Sequence, residues 1–314
     1  MKMKIEWNWF NECTVRPIPK LLENKEEREV LRKIKKQKVY LLALLLPFIM
    51  FVIGFEIGPL MAMIKNSFYA DDGIQVTINQ YLTIFKSEFY LQAIKNSLVI
   101  SLFSAITSVI VAVIAAYSFT KFSQKIQNRL LMITNMTSNF EGIPLSFSYI
   151  ILLGNNGLFT LLFAKIGWDL FADFNLYSWT GLILVYIYFQ IPLAVMLIYP
   201  SYQGIKQQWK EASSLLGGST FSFWLRIGGP VLLPSIVGTF SILFANAMGA
   251  YATAYALVGS NYNILSLQIA SLVASDVALK PQLGSALGVL LATTMIGAMW
   301  FNERMMRRVR RDLR

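Results

Sequence analysis

The sequence contains no histidine and a single cysteine, Cys13. The absence of imidazole excludes His-based acid and base catalysis, Ser–His and Cys–His nucleophile pairs, and imidazole metal ligands. A single cysteine cannot form an internal disulfide. The chain also lacks the Gly-x-x-x-x-Gly-Lys-Ser/Thr loop that binds nucleotide phosphates. The sequence therefore predicts no catalytic residue, no metal site and no cofactor site, and we expect a protein that is not an enzyme.

Charge is scarce as well. Only 14% of the 314 residues are charged, 55% are hydrophobic, and the mean hydropathy is +0.52. This composition cannot cover a soluble surface, and it indicates that most of the chain lies in lipid. Six stretches are long and apolar enough to cross a bilayer as helices: 39–64, 96–119, 130–153, 179–202, 234–258 and 283–301. The predicted fold class is an all-α membrane protein with six transmembrane helices.

The positively charged residues are unevenly divided between the two sides of these spans. All but five of the 28 Lys and Arg residues lie before the first span, after the last span, or in the second-to-third and fourth-to-fifth loops. Basic residues concentrate on the cytoplasmic side of membrane proteins, so both termini are predicted to be cytoplasmic in a multi-pass protein of the cell membrane. Residues 1–38 are a basic N-terminal segment, 39–301 the membrane domain, and 302–314 a basic tail.

The net charge of +11 raises the question of nucleic-acid binding. The most basic clusters, at 32–38 and 304–314, adjoin the first and last spans and have no folded domain around them. Basic clusters in this position bind anionic lipid headgroups. Membrane lipid, and not nucleic acid, is therefore the predicted partner of this charge.

Two predicted outside loops are more than simple connections. Residues 69–95 carry apolar side chains at helical spacing, and residues 154–178 combine a glycine–asparagine turn with an apolar helical face. Both are expected to lie against the helix bundle and to form an extracytoplasmic collar on which another protein docks.

The cytoplasmic loop between the fourth and fifth spans has a regular pattern. Residues 207–216 contain good helix formers and no Gly or Pro, so they predict a short helix that stops at Gly217 and Gly218. Ser219 or Thr220 is suited to cap a second helix, which is predicted to end at Pro230. A short cytoplasmic helix fixed to a span at each end can transmit an external movement into the membrane domain.

This loop carries a recognisable motif. It reads Glu211-Ala212-Ser213-x-x-Leu216-Gly217-Gly218-Ser219, followed by Trp224, Ile227, Pro230, Leu232 and Pro234. At this spacing before a fifth span, it resembles the EAA loop of permease subunits of type I binding-protein-dependent ABC importers, and the likeness extends over residues 92–301. The third motif position is commonly Ala and is Ser213 here. The resemblance implies that six residues couple the permease to an ATP-hydrolysing subunit: Glu211, Ala212, Ser213, Leu216, Gly217 and Gly218.

The same resemblance implies the partners of such an importer: ABC ATPase subunits, a second permease that is the same or a sister chain, and an extracytoplasmic solute-binding protein. Closure of the ATPase pair would move the helix at 211–217 and tilt spans four and five. Segments at 153–158 and 244–253 resemble the group that moves polyamines, ferric iron, thiamine, sulfate or phosphonates more than the sugar-transporting group. The expected substrate is a polyamine or another small charged solute.

Two other functions are alternatives. A self-sufficient secondary transporter or channel would have inverted repeats and broken spans and would work without a partner, but the two halves of the sequence show no such symmetry. An intramembrane enzyme would need histidine or paired carboxylates within the spans, and the sequence offers neither.

Polar residues inside the predicted spans are candidates for the solute path, because a charge in hydrocarbon is costly. Glu141 lies near mid-depth of the third span, with Asn139 beside it and a kink expected at Pro144. The fifth span carries a polar stripe formed by Asn246, Tyr251, Thr253 and Tyr255. In one interpretation these residues line the path and Glu141 favours a cationic solute. In the other they bond neighbouring helices and stabilise packing.

Overall fold

The computed structural model describes residues 44–167, 174–260, 262–274 and 279–312. Cys13 and the basic N-terminal segment at 1–38 lie outside the described residues. Within the described ranges the secondary structure is helical, apart from one isolated β-bridge between Tyr69 and Val76. The predicted all-α fold class is confirmed.

The helices are numbered here in chain order. They are α1 Leu44–Asn66, α2 Asn79–Lys86, α3 Glu88–Phe119, α4 Gln124–Ser138, α5 Ile143–Leu153, α6 Leu158–Lys165, α7 Trp179–Gln203, α8 Gln207–Leu215, α9 Thr220–Gly249, α10 Tyr251–Val258, α11 Leu265–Ala274 and α12 Pro281–Asp312. Six segments are long and apolar enough to cross a membrane: α1, α3, Ile143–Lys165, α7, α9 and Pro281–Arg304. The predicted number of spans is therefore confirmed.

The chain divides into two compact units, residues 1–62 and 63–314. The described part of the first unit is helical and contains one π-helical turn at Ile53–Ile57. Phe51 and Phe55 stack there with their ring centroids 4.8 Å apart. None of its described apolar side chains is buried, which is typical of a helix that is apolar on all sides and faces lipid. Helices α2 to α12 belong to the second unit.

The core of the second unit is centred on the pair α3 and α7. Helix α3 buries a row of small residues: Ser97, Ser101, Ser104, Ala105, Ser108 and Ala112. Small side chains allow two helices to approach closely. Tyr186, Phe189 and Ile198 of α7 are fully buried against this part of the bundle. Helix α9 packs on α3, α7 and α12, so this core fixes the frame on which the loops and the helix ends are held.

The fifth span begins at Thr220 and passes through Pro230 without a break, so the prediction that Pro230 ends a separate helix is wrong. A π-helical turn at Trp224–Gly228 precedes the proline, and the Gly229 N–H donates to the carbonyl of Trp224. Pro230 then occupies the first turn of the following α-helical segment. A missing N–H costs little in a first turn, and the chain therefore continues from the loop into the membrane.

The sequence predicted continuous helices at 130–153 and 234–258, but the structure interrupts both stretches, and the third candidate span is Ile143–Lys165 instead of 130–153. Helix α4 ends at Ser138 and α5 begins at Ile143, with Gly142 between them at a φ of +81°. Pro144 lies in the first turn of α5, so the expected kink at Pro144 is instead a break before it. The other interruption is at Ala250, between α9 and α10.

The two predicted outside loops contain the expected helices, α2 and α6. Before α2, the carboxylate of Asp72 accepts hydrogen bonds from the N–H groups of Ile74 and Gln75, at 2.9 and 3.2 Å. These bonds hold the pKa of Asp72 below its usual value. The Asp72 contribution to this turn is therefore present above the ordinary carboxyl pKa and is lost as the pH falls through the lowered value.

Candidate functional site

The loop between α7 and α9 forms a compact helix and turn. Helix α8 ends at Leu215, one residue before the predicted end. Gly217 follows with a φ of +77°. The Gly218 N–H donates to the Ser213 carbonyl at 2.9 Å, and the Gly217 N–H donates to the Ser214 carbonyl at 3.0 Å. This pair of bonds is the Schellman arrangement, which satisfies the last carbonyls of a helix and reverses the chain direction.

Glycine is needed at position 218 because a side chain there has no room, and not because of its backbone angles. A Cβ added at Gly218 would lie 2.7 Å from the Ser213 hydroxyl oxygen and 2.9 Å from its carbonyl oxygen. The next residue, Ser219, caps α9 because its hydroxyl accepts the N–H of Ser222 at 3.2 Å. Of the two capping residues that the sequence allowed, the structure uses Ser219. The turn between α8 and α9 is thus held at both ends by hydrogen bonds.

The apolar side chains of this loop are unpacked. Leu215 and Leu216 are 88% and 89% exposed, and Phe221 at the start of α9 is 76% exposed. A groove of about 630 Å³ runs between α8 and α9, and Ala212, Ser213, Leu216 and Gly218 are among the residues that line it. Glu211 is exposed beside the groove. Adjoining exposed apolar residues of this kind mark a surface that another molecule covers.

The interruptions of the two predicted stretches, 130–153 and 234–258, lie next to each other in the structure. The Gly142 N–H donates to the hydroxyl of Thr253 at 3.0 Å, and the Ser146 hydroxyl donates to the Thr253 carbonyl at 2.8 Å. At the interruption between α9 and α10, the buried Tyr186 hydroxyl donates to the Ala250 carbonyl at 3.0 Å. Each interruption therefore obtains hydrogen-bond partners from another helix, as backbone away from water requires.

The depth of this meeting point follows from the contacts of α4 and α5 with α7. The Ser138 hydroxyl lies 3.7 Å from the sulfur of Met196, and the rings of Tyr149 and Tyr188 are 5.6 Å apart. Glu141 falls between these two contacts along the chain. The break is therefore opposite the middle of α7, although Glu141 lies two residues before the candidate span Ile143–Lys165. The mid-depth position of Glu141 stays a prediction.

The five predicted path residues have different surroundings. Glu141 is exposed, and no described residue bonds to its carboxylate. The Asn139 amide donates to the Asn135 carbonyl at 2.8 Å, which holds the end of α4. Tyr251 is exposed and stacks on Tyr255 with ring centroids 5.5 Å apart.

The two remaining path residues are less accessible. Asn246 is partly buried on α9. Thr253 is 3% exposed and engaged at the break. Sequence reasoning did not find the partners Ser146 and Tyr186, because their role depends on chain segments distant in sequence. The signal that was available for the break itself is Gly142 two residues before Pro144.

Substitution of Thr253 by valine is expected to lower the free energy of unfolding by about 1–3 kcal/mol, because it removes the acceptor of the Gly142 N–H and leaves that group unpaired. Reversible unfolding of the purified chain by sodium dodecyl sulfate titration measures the change. Thr253→Ser keeps the hydroxyl and serves as the matched control. Equal stability of the valine and serine variants would show that this bond does not hold the two breaks together.

Comparison with known proteins places this geometry in context. No family model matches the chain. The ferric transport system permease protein FbpB of Actinobacillus pleuropneumoniae is 25% identical over 275 residues, which cover 84% of this chain and 39% of that protein. The spermidine/putrescine transport system permease protein PotC of Escherichia coli (strain K12) is 24% identical over 245 residues, covering 76% of this chain and 84% of that protein. The chain spans about two fifths of the length of the ferric permeases that it matches.

The solved structures agree on the fold. The bacterial alginate ABC transporter in complex with a periplasmic protein bound to alginate pentasaccharide superimposes with a TM-score of 0.69 at 18% identity, covering 88% of this chain and 97% of that chain. A second structure of a bacterial ABC transporter that imports alginate gives a TM-score of 0.66 at 19% identity and 88% coverage of this chain. The chain is thus a multi-pass membrane protein with the fold of ABC importer permeases. Within that class, its curated homologues are permeases named for ferric iron and for spermidine and putrescine.

These findings confirm the resemblance seen in the sequence and favour it over a self-sufficient transporter. The interrupted spans at Gly142 and Ala250 are a feature that the alternative also predicted. The homologues, however, are named as permeases of transport systems and not as independent carriers.

Proposed function

We propose that the chain is one permease subunit of an ATP-driven importer and forms part of the path of a small cationic solute. The observation that carries the proposal is the loop of α8 and the Gly217–Gly218 turn, which presents the exposed Leu215 and Leu216 beside an open groove. In an isolated transporter this apolar surface would have no function and would favour aggregation. An ATPase subunit that binds α8 would cover it.

The connection from α8 to the membrane is short and continuous. Helix α8 joins α9 through the Schellman turn and the Ser219 cap, and α9 then runs without interruption to Gly249. Because α9 is continuous, we expect displacement of α8 by a closing ATPase pair to shift the far end of α9 at Ala250. That end is bonded to Tyr186 and lies beside the break at Gly142. Coupling therefore reaches the middle of the bundle directly.

The breaks also support the position of the solute path. Non-helical backbone at membrane depth is stable only where protein buries it or where it lines a water-filled cavity. A carboxylate at the same depth is costly in lipid, and Glu141 is exposed there without a partner among the described residues. We infer that this face borders the path, with Asn139, Glu141, Asn246 and Tyr251 near the solute and Thr253 holding the breaks. A free carboxylate favours a cation, and the faces of the stacked Tyr251 and Tyr255 rings also attract one.

The substrate class receives support from two independent sources. Glu141 supplies a negative charge at mid-depth, and the curated homologues are named for ferric iron, spermidine and putrescine, all of which are cations. The alginate transporters support the fold alone, because their identity to this chain is below 20%. We therefore propose a polyamine or another small cation as the solute, delivered by an extracytoplasmic binding protein to this chain paired with a second permease.

The orientation that fits this function places both termini in the cytoplasm. Among the described residues, Lys65, Lys86, Lys95, Lys165 and Lys280 then lie on the outside, and the loop of α8 faces the cytoplasmic ATPase. The asymmetry of basic residues supports this arrangement. The apolar helix α2 lies on the opposite side, where it offers surface for the binding protein, and α6 ends the candidate span Ile143–Lys165 on that same side.

The test compares the complex with the chain alone. The tagged full-length chain is purified from its native membrane, examined for a co-purifying ATPase, and reconstituted in liposomes with and without that subunit. We expect uptake of radiolabelled spermidine, in the presence of its binding protein, only with the ATPase and only with ATP. Uptake by the chain alone, driven by an ion gradient, would establish the secondary transporter instead.

A further inference from the structure

A second cavity lies between the ends of α3 and α7 and the loop of α8. Its volume is about 240 Å³. Three aromatic side chains form one wall. The ring centroids of Tyr117 and Trp224 are 5.4 Å apart, and the ring of Tyr202 lies 6.1 Å from each of them.

Three lysines from two parts of the chain line the same cavity. Lys121 follows α3, Lys206 precedes α8, and Lys210 lies within α8. The Lys121 ammonium group is 4.8 Å from the centre of the Tyr117 ring. No acidic residue is among the described residues that line the cavity, and none of the described carboxylates forms an ion pair with these lysines. The cavity therefore holds a concentrated positive charge that the described protein does not neutralise.

An uncompensated group of lysines beside a free amide donor suits an anion with several acceptor oxygens. Gln207 lines the cavity and supplies the amide. The N–H groups in the first turn of α8, which no side chain caps, add positive potential on the same side. A phosphate group meets these requirements, because lysines bind phosphate as compact point charges.

The position of the cavity indicates the source of the phosphate. It adjoins Thr120 at the end of α3 and lies close to Gln203 at the end of α7. Because α3 and α7 are both candidate spans, we expect these ends at the level of the lipid headgroups on the side where α8 is exposed. Tyrosine and tryptophan are typical of this level, and anionic lipids are attracted to basic residues next to spans.

We propose that this basic pocket, formed by Lys121, Lys206 and Lys210 with the aromatic wall, binds the phosphate of an anionic phospholipid of the cytoplasmic leaflet. The lipid would link the start of α8 to the end of α3 and so set the resting position of the coupling helix. The inference goes beyond the proposed transport function. It uses the proposed orientation, but lipid binding requires neither ATP nor an ATPase subunit.

Binding is measured on the full-length purified chain by native mass spectrometry, with phosphatidylglycerol and phosphatidylcholine as the two lipid probes. We expect retained phosphatidylglycerol and little retained phosphatidylcholine. The double variant Lys121→Gln/Lys206→Gln should bind phosphatidylglycerol about tenfold or more weakly, because it loses two charged hydrogen-bond donors. The double variant Lys121→Arg/Lys206→Arg should retain phosphatidylglycerol binding. This result would show that substitution at these two positions is itself tolerated.

The matched control removes two charges from the same side of the membrane. Lys125 and Arg129 are exposed on the first half of α4 and do not line the pocket. The variant Lys125→Gln/Arg129→Gln is expected to keep most of the phosphatidylglycerol binding. Equal loss in the two glutamine variants would overturn the proposal, since the effect would then be general surface charge.

Two further outcomes would also overturn it. Displacement of phosphatidylglycerol by inorganic phosphate at equal concentration would identify a soluble anion as the ligand. The accessibility of Lys121 and Lys206 to an amine-reactive label distinguishes the second outcome. If the co-purifying ATPase in phosphatidylcholine protects these lysines as well as phosphatidylglycerol does without the ATPase, the ligand is a set of acidic side chains of the partner. Protection that requires phosphatidylglycerol supports the lipid site.

Discussion

Replacement of Gly217 by valine is expected to reduce ATP-driven uptake by about fivefold to a hundredfold, because a β-branched residue is strained by about 1–3 kcal/mol in the left-handed region. Gly217 has a φ of +77°. The bonds from Gly217 and Gly218 to Ser214 and Ser213 depend on that conformation. Relief of the strain opens the turn and changes the angle between α8 and α9. Uptake of spermidine and co-purification of the ATPase measure the result.

Gly217→Asn is the matched variant for the backbone effect. Asparagine enters the left-handed region more readily than other residues with a Cβ, and a Cβ at Gly217 has no neighbour within 4 Å. We expect this variant to retain most uptake. Gly238→Val controls for added bulk, since Gly238 lies inside α9, does not have a positive φ and also has open space around it.

Normal uptake and normal ATPase retention by Gly217→Val would contradict the coupling role of α8. Loss of function with both valine and asparagine would show that the ATPase surface tolerates no side chain at this position. The backbone explanation would then be wrong, although the contact itself would stand.

The second large effect is expected from Glu141→Gln, which removes the charge at mid-depth while keeping the size of the side chain. Uptake of spermidine should fall about tenfold to a hundredfold, because an interaction between a charged group and the solute contributes about 1.5–3 kcal/mol. The amount of protein in the membrane and the co-purification of the ATPase should not change. Transport assays at several spermidine concentrations show whether solute affinity or maximal rate is affected.

Glu88→Gln is the control for loss of one carboxylate. Glu88 is exposed in the first turn of α3, outside the proposed path, and its substitution should leave uptake within about twofold of the original, as expected for an exposed residue. Uptake by Glu141→Gln that equals that of Glu88→Gln would remove Glu141 from the path. A fall in uptake accompanied by loss of the assembled protein would assign Glu141 to helix packing.

Several elements were predictable because their causes are local. The spans follow from uninterrupted apolar composition, and the end of α8 follows from Gly217, the residue type that adopts a positive φ at least cost. The cap at Ser219 depends on an N–H only three residues further along the chain. Neighbouring residues alone thus specify the helix and turn proposed to bind the ATPase.

The sequence by itself thus determined the six-span class and the α8 turn. Only the tertiary structure decided where the spans break. The N–H of Gly142 is bonded to Thr253 and the carbonyl of Ala250 to Tyr186, across more than sixty positions in each case. It also decided that Lys121 lines one pocket with the distant Lys206 and Lys210. The physical reason is that unpaired backbone in a bilayer is stable only when another segment supplies its hydrogen bonds, and which segment lies close enough depends on how the helices pack.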